Sequence, residues 1–190
     1  MTQRTASATV LHRRDFLKLS AGSLALLSAA SLTATLAGCA KQVAPADGYA
    51  FLRPADLLLF TAITPAVLGS TLPLDDRAAH ITRVLKGVDA TAARVLLPTQ
   101  TALYKLFDLL NTGLTRRLTT GVSQPWEEAD PAQVQAFLLR WQTSSIGLFN
   151  AGYRGLTKFV TGAWLGTDAG LKAAGYPGPW KPMFDAVNAV

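Results

Sequence analysis

From residue 54 to residue 165 the large apolar side chains of this chain recur three and four positions apart. Ile81, Val84, Leu85 and Val88 repeat that spacing, as do Leu103, Leu106, Phe107 and Leu110, then Val134, Phe137, Leu138 and Trp141, then Leu156, Phe159, Val160 and Trp164. Residues so spaced share one face of an α-helix, and no alternating run bounded by turn residues competes with them. The fold expected is all-α. A single cysteine, Cys39, allows no disulfide inside the domain, so a helical bundle must draw its stability from packing. The organisation expected is a signal segment over 1–38, a tether over 39–50 and one helical domain over 51–190.

Local signals place the helices. Pro54 suits a first helical position, Asp56 falls in the first turn, and Leu57, Leu58, Leu59, Phe60, Ile63 and Val67 give an apolar body that Pro65 should kink or end. After a turn over 69–73, a second helix opens at Asp75 and Asp76, with a further short helix over 91–97. Pro98 starts a third, with Gly113 as its stop. Residues 114–121 read as a helical turn and 123–128 as a linker holding Trp126. Asp130, Pro131 and Gln133 form a helix start of the capping-box type. The helix after it runs on through Ile146, Leu148 and Phe149, bent by Gly147 and Gly152. Another segment covers 155–165, and Thr167 or Asp168 caps a short piece ending at Gly175. Residues 176–180, rich in proline and glycine, break regular helix. Trp126 and Trp141 are assigned to the core.

The first forty residues read as an address. Arg13 and Arg14 stand ahead of Phe16, Leu17 and Lys18, which is the core of a twin-arginine export signal. His12 occupies the place where Ser or Thr is usual. The uncharged run 19–37 is diluted by six serines and threonines, which favours a cleaved signal over a retained membrane helix. It ends in Leu36, Ala37, Gly38 and Cys39, a complete lipobox. Lipid on Cys39 would anchor the product to the periplasmic side of a bacterial membrane. Ala40 follows the cysteine instead of the aspartate that often retains lipoproteins at the inner membrane, so both membranes stay open as destinations.

Charge and chemistry exclude several classes. From position 39 onward Lys and Arg number 14 and Asp and Glu 11, a net charge of about +3. The basic residues are spread out, with only Arg116 and Arg117 adjacent, and read as a solvated surface; no nucleic-acid partner is expected. His80 is the one histidine of the domain and reads as a surface or boundary residue. No Cys-x-x-Cys-His, cysteine cluster, phosphate loop or nucleophile constellation is present, so neither cofactor, metal site nor catalytic residue is assigned. The twin-arginine route serves chiefly proteins that fold around a cofactor before export. A chain without one is explained by rapid folding, or by a cofactor-bearing partner that leaves with it.

The leader, together with Ala163-Trp164-Leu165-Gly166 and Ala174-Gly175-Tyr176-Pro177-Gly178-Pro179, resembles the small subunits of bacterial membrane-bound flavin dehydrogenases. The gluconate dehydrogenase small subunit is the type, and twin-arginine signal proteins found with glucose–methanol–choline oxidoreductases are similar. That resemblance implies a non-catalytic subunit that escorts a signal-less flavoprotein dehydrogenase through the twin-arginine translocase. Trp164, Tyr176, Pro177 and Trp180 are the surface expected to meet the partner, since rigid aromatic rings and prolines lose little freedom on docking. The competing arrangement folds these rings over their own core. The competing function is a free-standing helical envelope lipoprotein with a structural or binding role.

Overall fold

The computed structural model describes residues 43–178 and 187–188. Among them are seven α-helices and no strand: α1 Pro54–Leu68, α2 Arg77–Arg94, α3 Leu97–Asn111, α4 Gly113–Thr120, α5 Pro131–Gln142, α6 Gly147–Leu165 and α7 Asp168–Ala173. Short 3₁₀ turns at Gly69–Thr71 and Trp126–Glu128 join them. The all-α expectation is met.

Helix α1 is the hub. It packs against α2, α3, α5, α6 and the Trp126–Glu128 turn, while α2 and α6 form the most extensive pair. The reason is compositional. No charged side chain occurs from residue 57 to residue 74, so beyond Asp56 in its first turn every face of α1 is apolar or small, and such a helix belongs inside a bundle. Together with the 3₁₀ turn that follows it, the stretch Pro54–Thr71 would also be long and apolar enough to cross a membrane, a property that a core helix shares. Leu59, Phe60 and Ile63 are fully buried. Phe60 meets Phe107 of α3 edge-on at 5.4 Å, and a second aromatic run links Trp126, Phe137, Trp141 and Phe149. Trp126 and Trp141 lie in the core as expected, with their indole N–H groups donating to Leu110 O and Thr119 O.

Two close helix approaches depend on the absence of a side chain. A Cβ on Gly87 would sit 2.8 Å from the Cβ of Ala163, where α2 crosses α6. One on Gly152 would sit 2.5 Å from Cζ3 of Trp141, where α6 covers α5.

Several boundaries differ from the sequence reading. Pro65 does not end α1, which continues to Leu68; near the C-terminal end a missing N–H costs a single bond. No separate short helix covers 91–97, because α2 runs unbroken to Arg94. Gly113 is the first residue of α4 and not a stop; α3 ends because Thr112 turns to extended backbone at ψ 122°. Asp130 caps α5 by accepting from Ala132 N at 2.9 Å, but Gln133 Oε1 has no partner, so the reciprocal half of the capping box is missing. Ile146 and Leu148 are exposed and do not extend α5, which stops at Gln142, and α6 runs as one helix through Gly152 and Gly155. Thr167 caps α7 by accepting from Gly170 N.

The part of the expected tether that the structure describes is held against the bundle. Ala46 N donates to Leu52 O, Tyr49 N donates to Ala46 O, and Lys86 Nζ donates to Gly48 O while lying 3.7 Å from the centre of the Tyr49 ring.

Candidate functional site

The export-signal residues Arg13, Arg14, Phe16, Leu17 and Lys18, the lipidation residue Cys39, and Trp180 lie outside the described residues. The remaining expected interface residues separate. Trp164 is buried, 3% exposed, with His80 edge-on at 5.7 Å, so it belongs to the α2–α6 core and is withdrawn from the expected partner surface. The helical stripe through Leu156 and Val160 carries it inward. Tyr176 is half exposed and Pro177 exposed, beyond the end of α7. His80 is buried too, not at the surface, and its Nδ1 lies 3.2 Å from Arg83 Nη1. Among the described residues no group of three or more His, Cys, Asp or Glu side chains is placed to hold a metal ion.

The titratable groups that sequence reasoning passed over form the most ordered polar feature of the domain. Asp89, buried midway along α2, accepts the backbone N–H of Ala50 at 2.9 Å and those of Phe51 and Leu52 at 2.8 Å. This carboxylate therefore clips the segment ahead of α1 onto α2. Asp56, fully buried in the first turn of α1, takes Arg53 N at 3.0 Å, Arg53 Nε at 2.8 Å, Arg53 Nη2 at 3.1 Å and Asn111 Nδ2 at 2.8 Å. Arg53 reaches on to Asp108 at 2.7 Å and stands 4.8 Å from the centre of the Tyr104 ring. Tyr104 stacks on Phe51 at 4.3 Å and donates its hydroxyl to Phe51 O. Burial would lower the Arg53 guanidinium, but its hydrogen bonds to Asp56 and Asp108 and their charges carry it above its ordinary value. Burial pushes the Tyr104 phenol up; Arg53 opposes this, and Asp56 and Asp89 reinforce it. The Tyr49 phenol is raised by burial and by the charge of Asp89. Buried carboxylates that take three donors at Asp89 and four at Asp56, all from their own chain, hold the fold.

Helix α4 is inside-out. Arg116 is 8% exposed and Thr120 2%, whereas Leu114 and Leu118, one turn apart, are 70% and 74% exposed. Arg116 lies 5.8 Å from the centre of the Trp126 ring and reaches the carbonyls of Asn111 and Ser123 at 3.4 Å, so the adjacent arginines do not form the solvated pair expected. The Leu96 and Leu97 side chains at the α2–α3 corner are also exposed.

The surface carries three clefts along α1. The first is lined by Leu58, Ala62, Pro65, Arg77, Trp126 and Glu127 among others; the second shares Ala66 and Gln135 with it and reaches Leu139 and Tyr153; the third shares Val67 and Thr161 with the second and reaches Trp164 and Ala174. They follow one another along an apolar helix because α1 has no charge of its own to face outward.

No protein-family model, no curated protein and no solved structure matches the chain.

Proposed function

We propose that this protein is a non-catalytic small subunit that escorts a signal-less flavin-dependent dehydrogenase through the twin-arginine translocase and keeps it at the periplasmic side of the membrane through lipid on Cys39. The observation that carries the reading is the pairing of a twin-arginine and lipobox leader with a helix, α4, that turns Arg116 and Thr120 inward and Leu114 and Leu118 outward. Asp56, Asp89 and Arg53 are spent on holding the fold. Leu114 and Leu118 stand in solvent on the same face of α4, next to Arg117, where a monomer gains nothing from them. An exposed i, i+4 leucine pair on a helix that buries Arg116 and Thr120 suits a surface that a partner covers. Tyr176 and Pro177 remain as the described part of the aromatic tail that can contribute to such a surface. The resemblance of the leader and of residues 163–166 and 174–179 to dehydrogenase small subunits supplies the class of partner.

Affinity purification of this protein from native membranes tests the reading. A flavin-bearing polypeptide with no export signal should be retained, and Leu114→Asp with Leu118→Asp should release it without unfolding the domain. Purification of the protein alone, with no flavoprotein in the same membranes depending on it, contradicts the reading.

A further inference from the structure

The outward face of α2 carries positive charge with nothing of its own to balance it. Arg83, Lys86 and Arg94 are exposed and recur with Ala90 at steps of three and four residues, so they share one stripe about 16 Å long. Asp89, the single acid of α2, is turned inward and held by the backbone of residues 50–52. Among the described residues none of the three bases forms an ion pair. Beyond Arg94 the α2–α3 corner is fixed by Gln100, whose Nε2 donates to Ala93 O at 3.0 Å and to Val95 O at 3.1 Å. That corner holds Leu96 and Leu97 outward, 78% and 76% exposed.

The segment ahead of α1 lies on this stripe. Lys86 donates to Gly48 O and stands over the Tyr49 ring, and Ala46 N is bonded to Leu52 O. Seven peptide links lead from Cys39 to Ala46, and fully extended they span about 25 Å at most. The Asp89 clip and the Lys86 contact hold residues 46–52 on the bundle, so this leash does not lengthen by drawing on them. A lipid on Cys39 therefore keeps the bilayer surface close to Lys86. An acyl anchor joined to a basic patch is a combination that holds a protein on anionic lipid, and exposed leucines beside such a patch gain by entering the headgroup layer. Asp47, the one acid of the described tether, leaves the balance of the face positive.

We propose that the outward face of α2 is the membrane-facing surface of the anchored protein, with Arg83, Lys86 and Arg94 on anionic lipid headgroups and Leu96 and Leu97 inserted among them. The inference rests on the Cys39 anchor of the proposed function. It uses neither α4 nor the aromatic tail, so the partner dehydrogenase keeps a surface of its own.

Arginine footprinting with phenylglyoxal, read by mass spectrometry on the mature chain held on vesicles, tests the proposal. Chain extracted from membranes is used where its N-terminal mass includes lipid. A mass without lipid counts against the anchor of the proposed function alone; the same chain is then coupled through the thiol of Cys39, its only cysteine, to a maleimide lipid, which places an anchor at the same point. On vesicles containing phosphatidylglycerol, Arg83 and Arg94 should react about threefold more slowly than on phosphatidylcholine vesicles, and high salt should remove the difference. The exposed Arg117 and Arg140 should react alike on both. A photoactivatable lipid should mark the peptide holding Leu96 and Leu97 more strongly than the one holding Leu114 and Leu118. The proposal is overturned if Arg83 and Arg94 react equally on the two vesicles, if Arg117 and Arg140 are protected as strongly as they are, or if the lipid marks the Leu114 and Leu118 peptide at least as strongly.

Discussion

Replacing Asp89 by alanine removes the acceptor for three backbone N–H groups at once. Ala50 is exposed, so water replaces the carboxylate there. Phe51 and Leu52 are 3% and 0% exposed, and their N–H groups would be left in the core without partners. Each buried donor stranded in this way costs about 1–3 kcal/mol, which puts Asp89→Ala at about 2–6 kcal/mol. A domain of this size has about 5–15 kcal/mol in all, so the variant should survive but with little reserve. Asp89→Asn should be milder. Its remaining oxygen can still take Phe51 and Leu52, both of which bond to Oδ1, while its amide would face Ala50 N. The charge assistance lost in that exchange is about 1–2 kcal/mol. The assay is urea unfolding followed by circular dichroism and by tryptophan fluorescence. With a slope of about 2 kcal/mol per molar, Asp89→Ala should lower the midpoint by about 1–3 M, and Asp89→Asn by less than 1 M. Hydrogen exchange should show loss of protection at Phe51 and Leu52 before the rest of the bundle. A midpoint for Asp89→Ala within 0.25 M of the parent, with Phe51 and Leu52 still protected, would refute the reasoning, using about 0.5 kcal/mol as the limit of surface-like effects.

Three further perturbations separate parts of the account. Gly152→Ala pushes a methyl into the Trp141 ring and should destabilise by about 1–2 kcal/mol after the helix-propensity gain, whereas Gly155→Ala, with nothing within 4 Å, should stabilise by about 0.5–1 kcal/mol; thermal melts that move both variants in the same direction contradict the packing described for α5 and α6. Because the Tyr49 and Tyr104 phenols are held above their ordinary value of 10.0, the unfolded chain releases those protons first, so stability should be complete below pH 10 and fall as pH rises beyond it. Tyr104→Phe should flatten that alkaline fall in a denaturation series, and an equally steep fall in the variant would remove Tyr104 as its source. Cys39→Ala should abolish incorporation of labelled fatty acid while the domain still reaches the periplasm; persistent labelling would place the lipid elsewhere.

The periodic part of the fold is legible in the sequence because helix faces repeat. Val134, Phe137, Leu138 and Trp141 are all buried on α5, and Val84, Leu85 and Val88 on α2, as their spacing requires. What the spacing cannot express is contact between segments far apart in the chain. Asp89 is a single acid in a helix, and nothing within reach of it in sequence announces that residues 50–52 will bring three N–H groups to it. Asp56 likewise reads as a favourable first-turn acid, although its burial follows from Arg53 on one side and Asn111 on the other. Trp164 belonged to two patterns, a helical stripe and an aromatic tail, and the stripe prevails because burying an indole against α2 gains more apolar area than exposing it. Arg116 was missed for a similar reason. A pair of arginines reads as solvated, and only the position of Trp126 above the α4 turn shows which of the two is inward.

The most direct test of the escort reading is made in cells. Any signal-less flavoprotein that co-purifies with this protein should be followed by fractionation, in the parent strain and in one carrying Arg13→Lys with Arg14→Lys. Both polypeptides, and the flavin absorbance with them, should move from the membrane fraction, where protease added from the periplasmic side reaches them, to the cytoplasmic fraction in the double variant. Normal periplasmic delivery of the flavoprotein while this chain is held in the cytoplasm would contradict it.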